Sequence, residues 1–285
     1  MAGDVDLLAS YWTLAVGADP HTDHEHSTVG FRERVASAAR AGFKGIGIWH
    51  ADLEYTLRTH SLKEMRQILD DNGIRHVELE FILDWFVDGE EKRQSDIRKR
   101  LLFTAAEALK ARSVKVGDFF KKPCPMPRLI DSFGTLCREA AEHGTRIGYE
   151  MMPFCAIDTL ALARQLVEGA GAKNGGIFFD LWHMVKGDIS YADLKRFPPQ
   201  YVTGVELNDG FSKAHSMPDL TVETTQHRQL CGEGEFDIKG FIEAMRATGF
   251  AGPWGIEVLN KALRSRPIDE VTTRAFNTTI AQFRR

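Results

Sequence analysis

No two cysteines in this sequence are spaced C-x-x-C, and only four, Cys124, Cys137, Cys155 and Cys231, are scattered over 285 residues. Such scatter builds neither a zinc knuckle nor a disulfide framework, so the thiols read as isolated and reduced. Positive charge is not in excess either: 36 Lys and Arg against 40 Asp and Glu give a net charge of -4. A protein that neutralises the phosphates of a duplex carries the opposite balance, which argues against nucleic acid as a partner. No apolar run approaches the roughly 20 residues that cross a bilayer. The first residues carry Asp4 and Asp6 where a secretory signal would be basic and then apolar. The expectation is a cytoplasmic protein without a membrane partner. No G-x-G-x-x-G or G-x-x-x-x-G-K-[ST] run is present, so nothing marks a nucleotide crevice.

What the sequence does have is one pattern repeated from end to end. Eight β-type runs can be marked: Leu7–Val16, Phe43–Trp49, Arg75–Ile82, Val114–Gly117, Arg146–Met151, Gly176–Asp180, Tyr201–Leu207 and Trp254–Leu259. Several are continuously apolar, as strands covered on both faces are. Between them apolar residues recur at helical spacing: Phe31, Val35 and Ala38; Leu62, Met65, Ile68 and Leu69; Leu101, Leu102, Ala105 and Leu109. A last helix after Pro267 carries Ile268, Val271, Ala275 and Ile280 before Arg284-Arg285. Gly42, Gly73, Gly144 and Gly249 fall where helices should end. Eight strand-then-helix units with tight returns predict a single α/β domain over residues 1–285, a (β/α)8 TIM barrel. The longest irregular stretch, Asp209 to Cys231, follows the seventh strand.

In such a barrel the chemistry lies at the C-terminal ends of the strands. The fifth run ends on Glu150 and the sixth on Asp180; the seventh offers Glu206 and Asp209, and the eighth carries Glu257. Acids converging in a desolvated pocket repel one another, so either most are protonated or a cation sits among them. All-oxygen ligands point to one divalent ion, manganese or magnesium, rather than zinc. Basic groups reach the same face. His183 stands one turn beyond Asp180, His50 follows the second run, and Arg228 precedes the seventh helix. Lys115 is a lone charge inside the fourth run, readable as a substrate contact or as an ion pair with Glu78 or Glu80. The run His21-Thr22-Asp23-His24-Glu25-His26, after the first strand, reads either as a metal-binding segment or as a surface loop.

The segments Gly148-Tyr149-Glu150, Phe179-Asp180-Leu181-Trp182-His183, Val205-Glu206-Leu207-Asn208-Asp209, Gly232-Glu233-Gly234-Glu235-Phe236-Asp237 and Gly255-Ile256-Glu257 together resemble the xylose-isomerase-like TIM-barrel superfamily. Sugar isomerases and epimerases, inosose dehydratases and endonuclease IV belong to it. The resemblance implies that Glu150, Asp180 and Glu257 ligate one metal ion. It also implies that His183 and Arg228 hold substrate. The seventh-strand ligand in such epimerases is histidine, and here Glu206 stands in that slot. The endonuclease branch requires extra histidines, including an Asp-Arg-His run where this chain has His227-Arg228-Gln229. Barrels of this kind pair through their helices, so a homo-oligomer is implied as well.

The expected function is proton abstraction next to the carbonyl of an unphosphorylated sugar, keto-sugar or cyclitol, with the ion as Lewis acid for an enediolate. Glu150 and Glu257 are the expected base and acid, and His183, Arg228, His50 and Lys115 the expected substrate contacts. Isomerisation and epimerisation are the first reading. Loss of a β-leaving group from the same enediolate, by a lyase or dehydratase, is the alternative. A non-catalytic barrel subunit is a further one.

Overall fold

In the computed structural model, which describes residues 5–119, 121–212 and 220–284, eight parallel strands close into one barrel in sequence order. They are β1 (Leu7–Ala9), β2 (Gly45–Trp49), β3 (His76–Ile82), β4 (Ser113–Val116), β5 (Arg146–Glu150), β6 (Gly175–Asp180), β7 (Val202–Leu207) and β8 (Trp254–Ile256). Closure is made by β1, which pairs with β2 on one side and with β8 on the other. The predicted (β/α)8 architecture is therefore the observed one. Nearly every strand residue is buried, because the barrel interior covers one face and the helices cover the other.

The helical spacing in the sequence maps onto real helices. Met65, Ile68 and Leu69 are the buried stripe of the helix Leu62–Asp71, whose Ser61 and Glu64 form a reciprocal capping box. Such a cap stabilises a helix start by about 1 kcal/mol. Gly42, Gly73, Gly144 and Gly249 all take positive φ where helices return to strands. The last helix, Ile268–Gln282, lies beside the first strand-to-strand helix, Phe31–Ala41, and the Phe276 and Phe43 rings meet at 5.3 Å. Arg285 lies outside the described residues.

Two expectations change. The run Leu7–Val16 is not one strand: β1 stops at Ala9 and a turn of helix, Tyr11–Leu14, follows. Its apolar residues are buried in both conformations, which is why hydropathy alone could not mark the break. The stretch Asp209 to Cys231 is not wholly irregular, because Leu220–Gln226 is helical and precedes Arg228. Residues 213–219 of it lie outside the described residues. Among the described residues no helix is long and apolar enough to cross a membrane.

Candidate active site and metal centre

Glycines in the barrel wall make room for the charged side chains inside it. A Cβ on Gly255 of β8 would stand 2.7 Å from the Cγ of Glu206, and one on Gly47 of β2 would stand 2.5 Å from Glu80 Oε1. Contacts that short do not occur, so these positions let the neighbouring strands' glutamates lie across the barrel. Glu150 and Asp180 are the last residues of β5 and β6, Glu206 is the penultimate residue of β7, and Glu257 directly follows β8. One oxygen from each of these four carboxylates lies within 4.8 Å of the others, and all four residues are buried. Asp209, the second acid of the seventh run, is not among them. Its carboxylate accepts hydrogen bonds from the backbone N–H groups of Gly210, Gly232, Gly234 and Phe236, and so shapes the loop instead.

Lys115 requires a correction. Its side chain is fully buried on β4 and does not line the cavity. Nζ donates to Glu206 at 2.8 and 3.0 Å and to Glu257 at 3.1 Å, with Glu80 at 3.4 Å and Glu150 at 3.8 Å. Glu78, the other partner weighed for it, pairs with Arg112 at 2.5 Å. Lys115 is thus an internal counter-ion under the acids rather than a substrate contact. Ser10 Oγ also donates to Glu206. Arg228, equally buried, bridges Asp180 at 2.9 Å and Glu257 at 3.0 Å, and its other amino group meets His183 Nε2 at 3.2 Å.

The charges do not cancel. Glu80, Glu150, Asp180, Glu206 and Glu257 face two permanent cations, Lys115 and Arg228. Burial pushes Glu80 up to about 7 and Glu150 up to about 8 against the opposing pull of Lys115. It also raises Glu206 well above the usual carboxylate range, and raises Asp180 against the pull of Arg228. Glu257 is the exception: burial opposes its ionisation too, but Lys115 and Arg228 outweigh it and hold its pKa below the usual carboxylate range. Four oxygen donors converging in a pocket short of positive charge fit a divalent cation. Among the described residues this is the only such group of His, Cys, Asp and Glu side chains. The His21–His26 run forms none. Glu25 accepts from Trp49 Nε1 and from the His21 N–H, and the His26 ring stacks on Tyr55.

The cavity above the acids has a volume of about 320 Å³, the scale of a small-molecule site. Glu150, His183, Arg228, Glu257 and His50 all line it. Burial lowers the pKa of His183 well below the imidazole range, so it is neutral. With Arg228 donating to Nε2, its proton belongs on Nδ1, a buried atom without a hydrogen-bond partner in the protein. Three features of the site go beyond what the sequence marks, Glu80 having been readable only as a partner of Lys115. Glu80 belongs to the acid group, Trp12, Trp49, Phe81, Phe119 and Phe154 supply an aromatic wall, and Arg98 contributes a further cation to the lining. Aromatic residues carry no motif of their own, even where Trp49 ends β2, and Arg98 stands in a helix already crowded with Arg93, Lys99 and Arg100.

His50 offers a measurable consequence. Burial, reinforced by Arg98, lowers its pKa to about 3. The unfolded chain takes up a proton at His50 below about pH 6.5 that the folded chain refuses. Stability present above pH 6.5 is therefore lost as pH falls toward 3, by about 2 kcal/mol at pH 5. A His50→Asn variant should lose about 2 kcal/mol less than the wild type between pH 7 and pH 5, read from denaturant midpoints. Identical losses would place the imidazole in solvent.

Comparison with known proteins adds four findings. Residues 35–276 match the family model described as xylose isomerase-like TIM barrel. A 3-dehydroshikimate dehydratase of Pseudomonas putida is 28% identical over 248 residues, which cover 82% of this chain and 37% of that protein. The chain therefore spans little more than a third of that relative's length. An inosose isomerase of Halalkalibacterium halodurans is 20% identical over 238 residues, covering 79% of this chain and 80% of the relative. Among solved structures, the IOLI protein with a bound zinc atom superposes with a TM-score of 0.83 at 17% identity, covering 98% of both chains.

Proposed function

The chain belongs to the xylose isomerase-like TIM-barrel family, and from that premise we propose that it is a divalent-metal-dependent enzyme that moves a proton next to the carbonyl of a polyhydroxylated small molecule. The observation that carries this reading is the convergence of Glu150, Asp180, Glu206 and Glu257 on one buried point at the floor of the cavity. These four residues would hold the ion, of the manganese or magnesium class by their all-oxygen chemistry. When bound, such an ion supplies Lewis acidity at a substrate oxygen and counter-charge for the enediolate.

The protein's own groups do the rest. Glu150 and Glu257 come from β5 and from the end of β8, so they approach a bound carbon from different sides and serve as an acid–base pair. His183 donates from Nδ1 to a substrate oxygen, and Arg228 keeps that tautomer in place while fixing Asp180 and Glu257. The aromatic wall excludes water from the ring face of the substrate. Returning the proton to the opposite face gives epimerisation, and to the neighbouring carbon gives isomerisation.

A dehydratase outcome is the second reading, and the 28% identity to a dehydratase favours it. There the base removes the same proton and the β-hydroxyl departs as water with the acid's proton. Incubation in heavy water with polyhydroxy ketones tests the shared step: deuterium should enter next to the carbonyl, and full retention of hydrogen across the panel would end the proposal. Ultraviolet absorbance separates the exits, since elimination leaves a conjugated enone and isomerisation does not. The purified protein should also carry a divalent ion by metal analysis, lose exchange on chelation, and regain it with manganese or magnesium.

A further inference from the structure

The acids of the cavity floor come from β5 to β8, and across the barrel mouth the helices after β2 and β3 supply a different chemistry. Arg98 projects from the helix Gly89–Leu109 into the cavity lining, half-buried. Every other charged side chain lining the cavity is engaged. Glu80, Glu150, Glu257 and Arg228 belong to the ion cluster, and Glu25 accepts from Trp49 and His21. Arg98 makes no ion pair and no hydrogen bond with any described residue. Glu25, Glu54 and Asp84 act on it from beyond contact distance, and Asp84 is already paired with Lys122 at 2.5 Å. His50 lines the same cavity, more than nine-tenths buried, with Nδ1 unpartnered in the protein. A partly desolvated guanidinium with no contact partner and an orphaned imidazole nitrogen in one cavity are groups that a ligand would complete.

We infer that Arg98, with His50, is a carboxylate-binding subsite, so that the substrate is a polyhydroxylated keto acid rather than a neutral ketose. This rests on the proposed function for where the carbonyl lies. The carbonyl end meets the acids of β5 to β8, the carbon skeleton lies along the aromatic wall, and the carboxylate reaches the β2–β3 side. One planar guanidinium matches one carboxylate in two parallel hydrogen bonds. A doubly charged phosphate would face Glu25 in the same lining with only one cation to balance it.

Calorimetric titration of the metal-loaded full chain with three six-membered carbocycles tests the assignment: quinate, myo-inositol and myo-inositol 1-phosphate. Quinate should bind more tightly than myo-inositol. Arg98→Gln should weaken quinate by at least about tenfold and leave myo-inositol unchanged, and Arg98→Lys should restore part of the loss. Unchanged quinate affinity in Arg98→Gln, or no quinate binding to the wild type, would overturn it. So would an Arg98-dependent preference for the phosphate ester. Binding needs no turnover, so the two readings fail separately. Absent deuterium exchange with intact Arg98-dependent binding sinks only the proton-transfer proposal. Exchange on a neutral ketone together with unchanged quinate affinity in Arg98→Gln sinks only this one.

Discussion

Replacing Glu257 by glutamine should lower turnover by about three orders of magnitude, the scale of losing one general acid–base group. The change keeps the shape of the side chain and removes one charge and one proton site. Its structural cost is bounded by the neighbours that remain. Lys115 keeps both oxygens of Glu206, and Arg228 keeps Asp180 and the Glu257 backbone carbonyl. Neither cation is left alone, so the fold should survive with a loss of about 1–3 kcal/mol. Glu257 differs from its neighbours in being held ionised by both cations, whereas burial drives Glu150 toward its acid form. Two carboxyls with opposed tendencies in one pocket is the arrangement that acid–base pairs need. The decisive measurement pairs deuterium exchange with a melting curve. Lost exchange in a folded variant supports the role, and wild-type exchange in a folded Glu257→Gln protein would remove the residue from it.

The barrel was legible because its signal is redundant. Eight apolar runs, interposed helical stripes and glycine returns such as Gly42 all point to one architecture, and errors at single ends do not disturb it. Thus Leu7–Val16 could be read too long without harm to the whole. The acids at the floor were legible for a related reason: a strand end is a fixed address in this fold, and Glu150, Asp180, Glu206 and Glu257 occupy successive ones. What sequence order does not encode is what lies across the barrel. Lys115 is 91 residues from Glu206 and 142 from Glu257, yet it donates to both. Side-chain length and the glycines of neighbouring strands decide such contacts. Arg98 was hidden differently, since a surface-type charge run on a helix gives no sign that one member turns into a cavity.

Lys115→Met is the substitution with the largest expected effect on stability. Methionine fills nearly the same volume, so no large cavity forms and the packing against Phe178 is retained. The loss is therefore electrostatic. Replacing a whole buried ion pair by apolar groups is often neutral, but removing one partner leaves the other charge buried and uncompensated, at about 3–5 kcal/mol. Here one nitrogen serves Glu206 and Glu257 within 3.1 Å and has Glu80 and Glu150 within 3.8 Å. The acids can escape the repulsion only by binding protons, which costs about 1.4 kcal/mol for each pKa unit by which a group must be displaced. In chelator the variant should melt about 10 °C below the wild type. A divalent ion should then raise its midpoint more than the wild type's, because the pocket has become one charge more negative and binding to the folded state alone stabilises by mass action. Equal midpoints in chelator would mean that Glu206 is protonated and needs no counter-ion. A smaller gain from the ion than in the wild type would mean that Lys115 helps to shape the cation site rather than competing with its charge.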